Sequence, residues 1–170
     1  MQFVPYVYDI EKSKVPVSIT EMTEEDAEKT NLEPRWQTSW TDDYISNYNF
    51  ERYSVKSGDE LIALGAYEIL EQQLVVHIVY IEAQPESNPT FVNYSRKYTG
   101  IGKLLIAFGI KLSVDNGFAG DVVLEAKTTQ LAKHYINDFG AVPLPTFGGG
   151  AQRLLIADEA AKNLFFSYLE

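Results

Sequence analysis

The chain has 170 residues, 45% of them apolar and 13% aromatic, with a formal net charge of −10 and no cysteine. This suits one globular domain over residues 1–170 and excludes a disordered composition, disulfides, Cys-ligated zinc and thiol catalysis. The acidic balance argues against nucleic acid or an anionic membrane as partner. No apolar run reaches membrane-spanning length, and Met1–Pro5 lacks the basic and apolar regions of a signal peptide, so a cytoplasmic protein is expected.

In chain order, Phe3–Ile10 is an apolar-aromatic run broken by Pro5, an edge strand or an N-terminal arm. Val15–Thr20 alternates and reads as a strand. Thr23-Glu24-Glu25-Asp26 has the form of a capped helix start with early acids. Asn31–Trp40 is loop, and Asp42–Asn49 makes a short helix with Tyr44, Ile45 and Tyr48. Glu51–Lys56, Leu61–Leu70 and Leu74–Glu82 then read as three strands with short turns, an antiparallel meander. Ala83–Ser95, with Pro85 and Pro89, is a loop.

That loop leads into Tyr98-Thr99-Gly100-Ile101-Gly102-Lys103, a glycine-rich turn running straight into a helix over Gly102–Asp115 that buries Leu104, Leu105, Phe108 and Leu112. Asn116-Gly117 closes this helix. Asp121–Ala126 is a buried strand, and Thr129–Phe139 is a second helix ended by Gly140. Val142–Pro145 starts the last strands, Gly148-Gly149-Gly150 turns, Arg153–Ile156 returns, and Asp158–Leu169 is a terminal helix.

The glycine turn carries the functional signal. Glycines remove the Cβ atoms that keep a ligand from the backbone, and the first N–H groups of a helix have no intrahelical acceptor. Such a turn binds phosphate, and Arg96, Lys97 and Lys103 bracket it in an otherwise acidic chain. It is not a Walker loop, and the third glycine of a Rossmann fingerprint is replaced by Leu105. The spacing Lys97-Tyr98-Thr99-Gly100-Ile101-Gly102 resembles the acetyl-CoA signature of the GNAT N-acetyltransferase superfamily, which usually has Gln or Arg where this chain has Lys97. The order of elements is similar to the whole GNAT order. So is Leu124-Glu125-Ala126 before Thr129, Ala132 and Phe139-Gly140.

The resemblance implies an α+β fold (α/β three-layer), with a mixed, mostly antiparallel central sheet flanked by helices and an added C-terminal helix. It also implies acetyl-CoA as cofactor and an amine-bearing acceptor. Its cofactor-binding positions would be Ile81 and Ala83 at the end of the third meander strand, then Arg96, Lys97, Tyr98, Thr99, Gly100, Ile101, Gly102 and Lys103. Glu82 is the candidate proton acceptor, weighed against an exposed strand-end carboxylate. Tyr135 is the candidate acid for the departing thiolate, since a phenol (about 10) can protonate a thiolate (about 8.5) only as that thiolate forms. The family's tyrosine usually lies four residues before the closing glycine, and Tyr135 lies five before Gly140. Either the helix end is irregular or Tyr135 packs.

Glu125 is expected to be structural and His77 to be a core or sheet-face histidine. His134 is expected on a solvated face, and the histidines have no metal-ligand spacing. Trp36, Trp40, Tyr44 and Tyr48 would wall an acceptor pocket or form core. Two further readings stand beside the enzyme: a catalytically inactive GNAT-fold module that binds CoA, and an interaction protein whose terminal helix and aromatic N-terminus make a homodimer face.

Overall fold

The computed structural model describes residues 1–46, 48–91, 95–146 and 148–170. It has nine strands: β1 Tyr6–Tyr8, β2 Lys14–Pro16, β3 Ser18–Glu21, β4 Glu51–Ser57, β5 Glu60–Leu70, β6 Val75–Ala83, β7 Val122–Ala126, β8 Val142–Pro143 and β9 Gln152–Ile156. The helices are α1 Glu24–Lys29, α2 Asp43–Ser46, α3 Ile101–Asp115, α4 Thr129–Phe139 and α5 Asp158–Phe166. Strands β1 and β2 form a small antiparallel sheet, and the other seven form one sheet in the order β3-β4-β5-β6-β7-β9-β8. The three meander strands therefore lie side by side in chain order, as expected. The single strand expected over residues 15–20 is instead two, because residues 14–16 pair with β1 and residues 18–21 pair with β4. The expected helix from Asp42 is a single turn, and position 47 lies outside the described residues, as do positions 92–94 of the expected loop.

Packing divides the chain into two compact units, one of residues 1–66, 80–105 and 170, the other of residues 67–79 and 106–169. In the first, Val7, Trp40, Ile45, Val55, Ile62, Leu64, Leu104 and Leu105 are buried. Helix α1 starts on the expected capping box, with Thr23 Oγ1 accepting from the amide of Asp26 at 3.1 Å and Asp26 Oδ2 accepting from the amide of Thr23 at 3.2 Å. Asp26 is itself buried, where it also accepts from Ser54 Oγ at 2.8 Å and pairs with Lys56 Nζ at 2.8 Å. Burial raises the pKa of this carboxyl, but the bonds from Lys56, Ser54 and Thr23 outweigh it and hold the value below the usual range. One short side chain thus caps α1 and pins it to β4.

In the second unit, Tyr67, Val76, Ile78, Ile106, Ile110, Val122, Leu124, Leu154 and Ile156 form the core. Strand β6 pairs in parallel with β7 from Val76↔Val122 to Ile78↔Leu124, and β6 continues to Ala83. Strand β7 pairs antiparallel with β9 along its whole length. Helix α4 spans the expected residues. Thr128 Oγ1 caps its start by accepting from the amide of Leu131 at 3.0 Å, and Gly140 ends it in the left-handed region at φ 71°. A Cβ on Gly140 would stand 2.9 Å from that of Ala160, so the same glycine sets how closely α5 approaches. No helix among the described residues is long and apolar enough to cross a membrane.

Candidate active site

Every expected cofactor-binding residue, and Glu82, belongs to the first unit. Tyr98 is buried, Thr99 and Gly100 are half-buried, and α3 begins at Ile101. Gly100 has φ +80°, and a Cβ there would lie 3.3 Å from the Tyr8 ring, so its lack of a side chain serves the turn itself. Gly102 differs. It is exposed, its φ is not positive, and a Cβ would meet nothing within 4 Å. The open space is beside Gly102, in the first turn of a 15-residue helix, where N–H groups are left without intrahelical acceptors. The residues present therefore fit a phosphate-bearing ligand approaching at Gly102.

The rest of the turn is more committed than the sequence suggests. The amide of Thr99 donates to the carbonyl of Tyr8 at 2.9 Å, and the amide of Tyr8 donates back to Thr99 at 3.0 Å. The amide of Tyr98 donates to Ser87 Oγ at 3.0 Å, and that of Lys97 to the carbonyl of Glu86 at 3.1 Å. The Lys97 ammonium pairs with Glu60 Oε2 at 2.7 Å, and the Tyr98 hydroxyl donates to Glu60 Oε1 at 2.8 Å. Gln84 Nε2 also donates to Glu60, at 3.1 Å. Burial alone would raise the Glu60 pKa, but these bonds hold it below the carboxylate range, and Glu60 in turn raises that of Lys97. Arg96 is half-buried, with no hydrogen bond or ion pair among the described residues, and Lys103 is half-buried. The backbone of α3 is thus the part of the turn most open to an anion.

At the end of β6 the pleat sends Tyr80 and Glu82 to one face and Ile81 and Ala83 to the other. Ile81 and Ala83 are half-buried. Glu82 is not the exposed carboxylate weighed above, being only 4% exposed. Its Oε2 accepts from the amides of Gln37 at 2.6 Å and Thr38 at 3.4 Å, and its Oε1 accepts from the indole Nε1 of Trp40 at 3.0 Å. Tyr80 joins the same segment: its hydroxyl shares a 2.6 Å hydrogen bond with Thr38 Oγ1, and its ring meets that of Trp40 edge-on at 5.6 Å. Trp40 is core, but Trp36 is half-buried and Tyr44 and Tyr48 are exposed, so the expected aromatic cluster does not gather into a single wall.

Tyr135 belongs to the second unit. It is buried, stacks on Phe139 at 6.1 Å, and its hydroxyl has no hydrogen-bond partner among the described residues. Burial raises its pKa, so the phenol stays protonated and is a weaker acid toward a thiolate than a solvated phenol. Helix α4 closes regularly, the amide of Gly140 reaching Ile136 at 3.2 Å and that of Ala141 reaching Tyr135 at 3.1 Å. The irregular end that could realign Tyr135 is absent among the described residues.

Also in this unit, His77 bridges Glu68 at 3.1 Å and Glu125 at 2.8 Å across three neighbouring strands. Burial lowers its pKa, but the bonds from Glu125 and Glu68 outweigh this and raise it. Both His77 and Glu125 are accounted for by the sheet face, and His134 pairs with Asp138 on the outside of α4. No group of three candidate metal ligands gathers among the described residues.

Sequence reading missed Glu60, Tyr8 and the donors around Glu82. Their partners lie far along the chain, Lys97 37 residues from Glu60 and Gln37 45 residues from Glu82, and no local pattern announces such pairs.

No protein-family model and no curated protein matches this chain. Solved structures do. One is the ribosomal-protein-S18-alanine N-acetyltransferase from Escherichia coli, with TM-score 0.55 and 16% identity over 84% of this chain and 95% of that one. An acetyltransferase from Bacillus subtilis in complex with CoA matches with TM-score 0.56 and 17% identity over 84% and 97%. The PaiA N-acetyltransferase from Thermoplasma acidophilum in complex with coenzyme A matches with TM-score 0.57 and 14% identity over 84% and 99%. At such identities the likeness is one of fold, and the fold of this chain is that of the GNAT acetyltransferases.

Proposed function

We propose that this protein is an acetyl-CoA-dependent N-acetyltransferase that moves an acetyl group to a primary amine by direct attack on the thioester. The observation that carries the reading is the glycine turn at the head of α3, with open space beside Gly102, on a fold whose solved examples include CoA complexes. The turn holds the pyrophosphate chiefly by backbone N–H groups of its first helical turn, with Lys97, Arg96 and Lys103 adding positive charge. The ends of β6 at Ile81 and Ala83 supply backbone groups for an extended ligand arm.

The chemistry asks little of side chains. The amine nitrogen forms a bond to the thioester carbonyl carbon, the carbon–sulfur bond breaks, the ammonium proton leaves to a base or water, and the thiolate takes up a proton. Tyr135, a buried phenol held protonated, is the proposed donor to the thiolate. Glu82, at the end of β6, is assigned to the acceptor side, whose surroundings it shapes.

The test pairs two measurements on the intact protein. Calorimetry with CoA reads binding, and free-thiol release from acetyl-CoA reads transfer, using spermidine, an aminoglycoside and a lysine-containing peptide with a free N-terminus. Thiol release stimulated by an amine supports the enzyme. The regular closure of α4, which leaves Tyr135 five residues before Gly140, favours a second reading, a module that binds CoA without transfer. Tight CoA binding with no thiol release for any amine would select it, and no CoA binding would remove both.

A further inference from the structure

Glu82 is placed as a general base would be, at the end of β6, yet its carboxylate is already used. Three donors surround it: the Gln37 amide at 2.6 Å, the Thr38 amide at 3.4 Å and the Trp40 indole at 3.0 Å. Backbone amides and indole N–H groups can only donate. The group is also 4% exposed, so an incoming amine does not meet it from solvent.

What the carboxylate does instead is hold a segment. Residues 37–40 lack regular secondary structure, and Gln37 and Thr38 have no strand or helix partner for the amides that Glu82 accepts. Trp40 is buried, Thr38 and Ser39 are half-buried and Gln37 is exposed, so the donors of this irregular stretch that turn inward find their acceptors in side chains. Glu82 serves two amides and an indole, and Tyr80, two residues earlier on the same face, adds the Thr38 bond at 2.6 Å and the edge of its ring to Trp40. From the other side, Thr30 Oγ1 accepts from the Trp40 amide at 3.1 Å. The end of β6 and the segment that follows α1 are thereby one construction.

We propose that Glu82 is a positioning residue: its carboxylate fixes Gln37–Trp40 against the end of β6 and so shapes the acceptor side of the site, while the amine's proton goes elsewhere. For what the segment serves, this rests on the transfer reading above. For the clamp itself, it rests on the hydrogen bonds alone.

Two substitutions separate a clamp from a base. Glu82→Gln keeps size but turns an N–H₂ toward one of the donors. Trp40→Phe removes the indole donor and leaves the carboxylate in place. Hydrogen exchange by NMR reads the clamp without any reaction: in Glu82→Gln the Gln37 amide and the Trp40 indole N–H exchange at least about tenfold faster than in wild type, the factor for one lost hydrogen bond to a charged group. Unchanged exchange overturns the proposal. Thiol release with the same amine probes reads the role. Both variants lose at least about tenfold in kcat/KM for the amine, by the same reckoning, and both keep the acid limb of the wild-type pH profile. If Trp40→Phe turns over like wild type while Glu82→Gln is inactive and loses that limb, Glu82 is the base and the proposal is wrong. If wild type binds CoA yet releases no thiol with any probe, the transfer reading falls, and the exchange rates still decide the clamp.

Discussion

Gly102→Val is the sharpest test of the glycine turn, because the structure separates its effect on stability from its effect on binding. Gly102 is the second residue of α3, its φ is not in the positive range, and a Cβ would meet nothing within 4 Å. Valine is the better helix former of the two by roughly 0.3–0.5 kcal/mol. The fold should therefore keep its melting temperature to within about 2 °C for a chain of this size. A phosphate resting on the first helical turn loses that approach. Each charge-assisted hydrogen bond from a backbone N–H is worth about 1.5–3 kcal/mol. Holding the ligand off two of them costs about 3–6 kcal/mol, or roughly 10²–10⁴-fold in affinity for CoA. Gly100→Val is the control. At φ +80°, with the Tyr8 ring 3.3 Å from the added Cβ, it should destabilise the chain without any ligand, by about 1–2 kcal/mol or more. Calorimetry with CoA and thermal melting of the three proteins decide the matter. A Gly102→Val protein that melts and binds like wild type would show that the phosphate does not lie there.

Lys97→Ala should weaken CoA binding by about 1–2 kcal/mol at most, more at low salt than at high, because the ammonium is already shared with Glu60 at 2.7 Å. A salt titration indistinguishable from wild type would show Lys97 to be part of the turn's scaffold only. Tyr135→Phe should lower kcat with little change in the KM for acetyl-CoA and, since the hydroxyl has no partner among the described residues, leave the melting temperature nearly unchanged. Full activity would make Tyr135 a packing residue. His77 gives a pH effect whose sign is fixed. Its folded pKa lies above the ordinary 6.5, so its contribution to stability is complete below that value and is lost as pH rises through the folded pKa. Urea unfolding of wild type and His77→Gln between pH 5.5 and 8.5 should show the wild-type advantage shrinking as pH rises, and a constant difference would refute the assignment.

Elements with a local cause were legible in the sequence. The capping box at Thr23 and Asp26, the ends of α4 at Thr128 and Gly140, and the apolar face of α3 each depend on residues within a few positions of one another. The break between β2 and β3 was not legible, because the first part pairs with β1 and the second with β4, and no periodicity encodes that change of partner. The partner of Lys97 in the glycine turn was hidden in the same way. Lys97 reads as an available cation only while Glu60 is unknown to be beside it.

The two titratable residues singled out for catalysis show opposite limits of sequence reasoning. For Tyr135 the difficulty was already visible as a one-residue offset, and the structure sharpens it: with α4 regular through Gly140, one residue is about 100° around the helix, so Tyr135 and Ile136 present different faces. Tyr135 is a buried phenol that stays protonated, though burial makes it the weaker donor. For Glu82 nothing in the sequence warned of trouble, since a glutamate at a strand end looks the same whether it faces solvent or a ring of donors. Its three donors come from four residues, Gln37 to Trp40, that sequence reading could describe only as loop. A carboxylate placed for chemistry must keep a lone pair toward its substrate, whereas one placed for architecture spends its lone pairs on neighbouring N–H groups. The Gln37 amide at 2.6 Å and the Trp40 indole at 3.0 Å put Glu82 among the second kind, and the proton acceptor is then water or another group of the Trp36–Tyr48 segment.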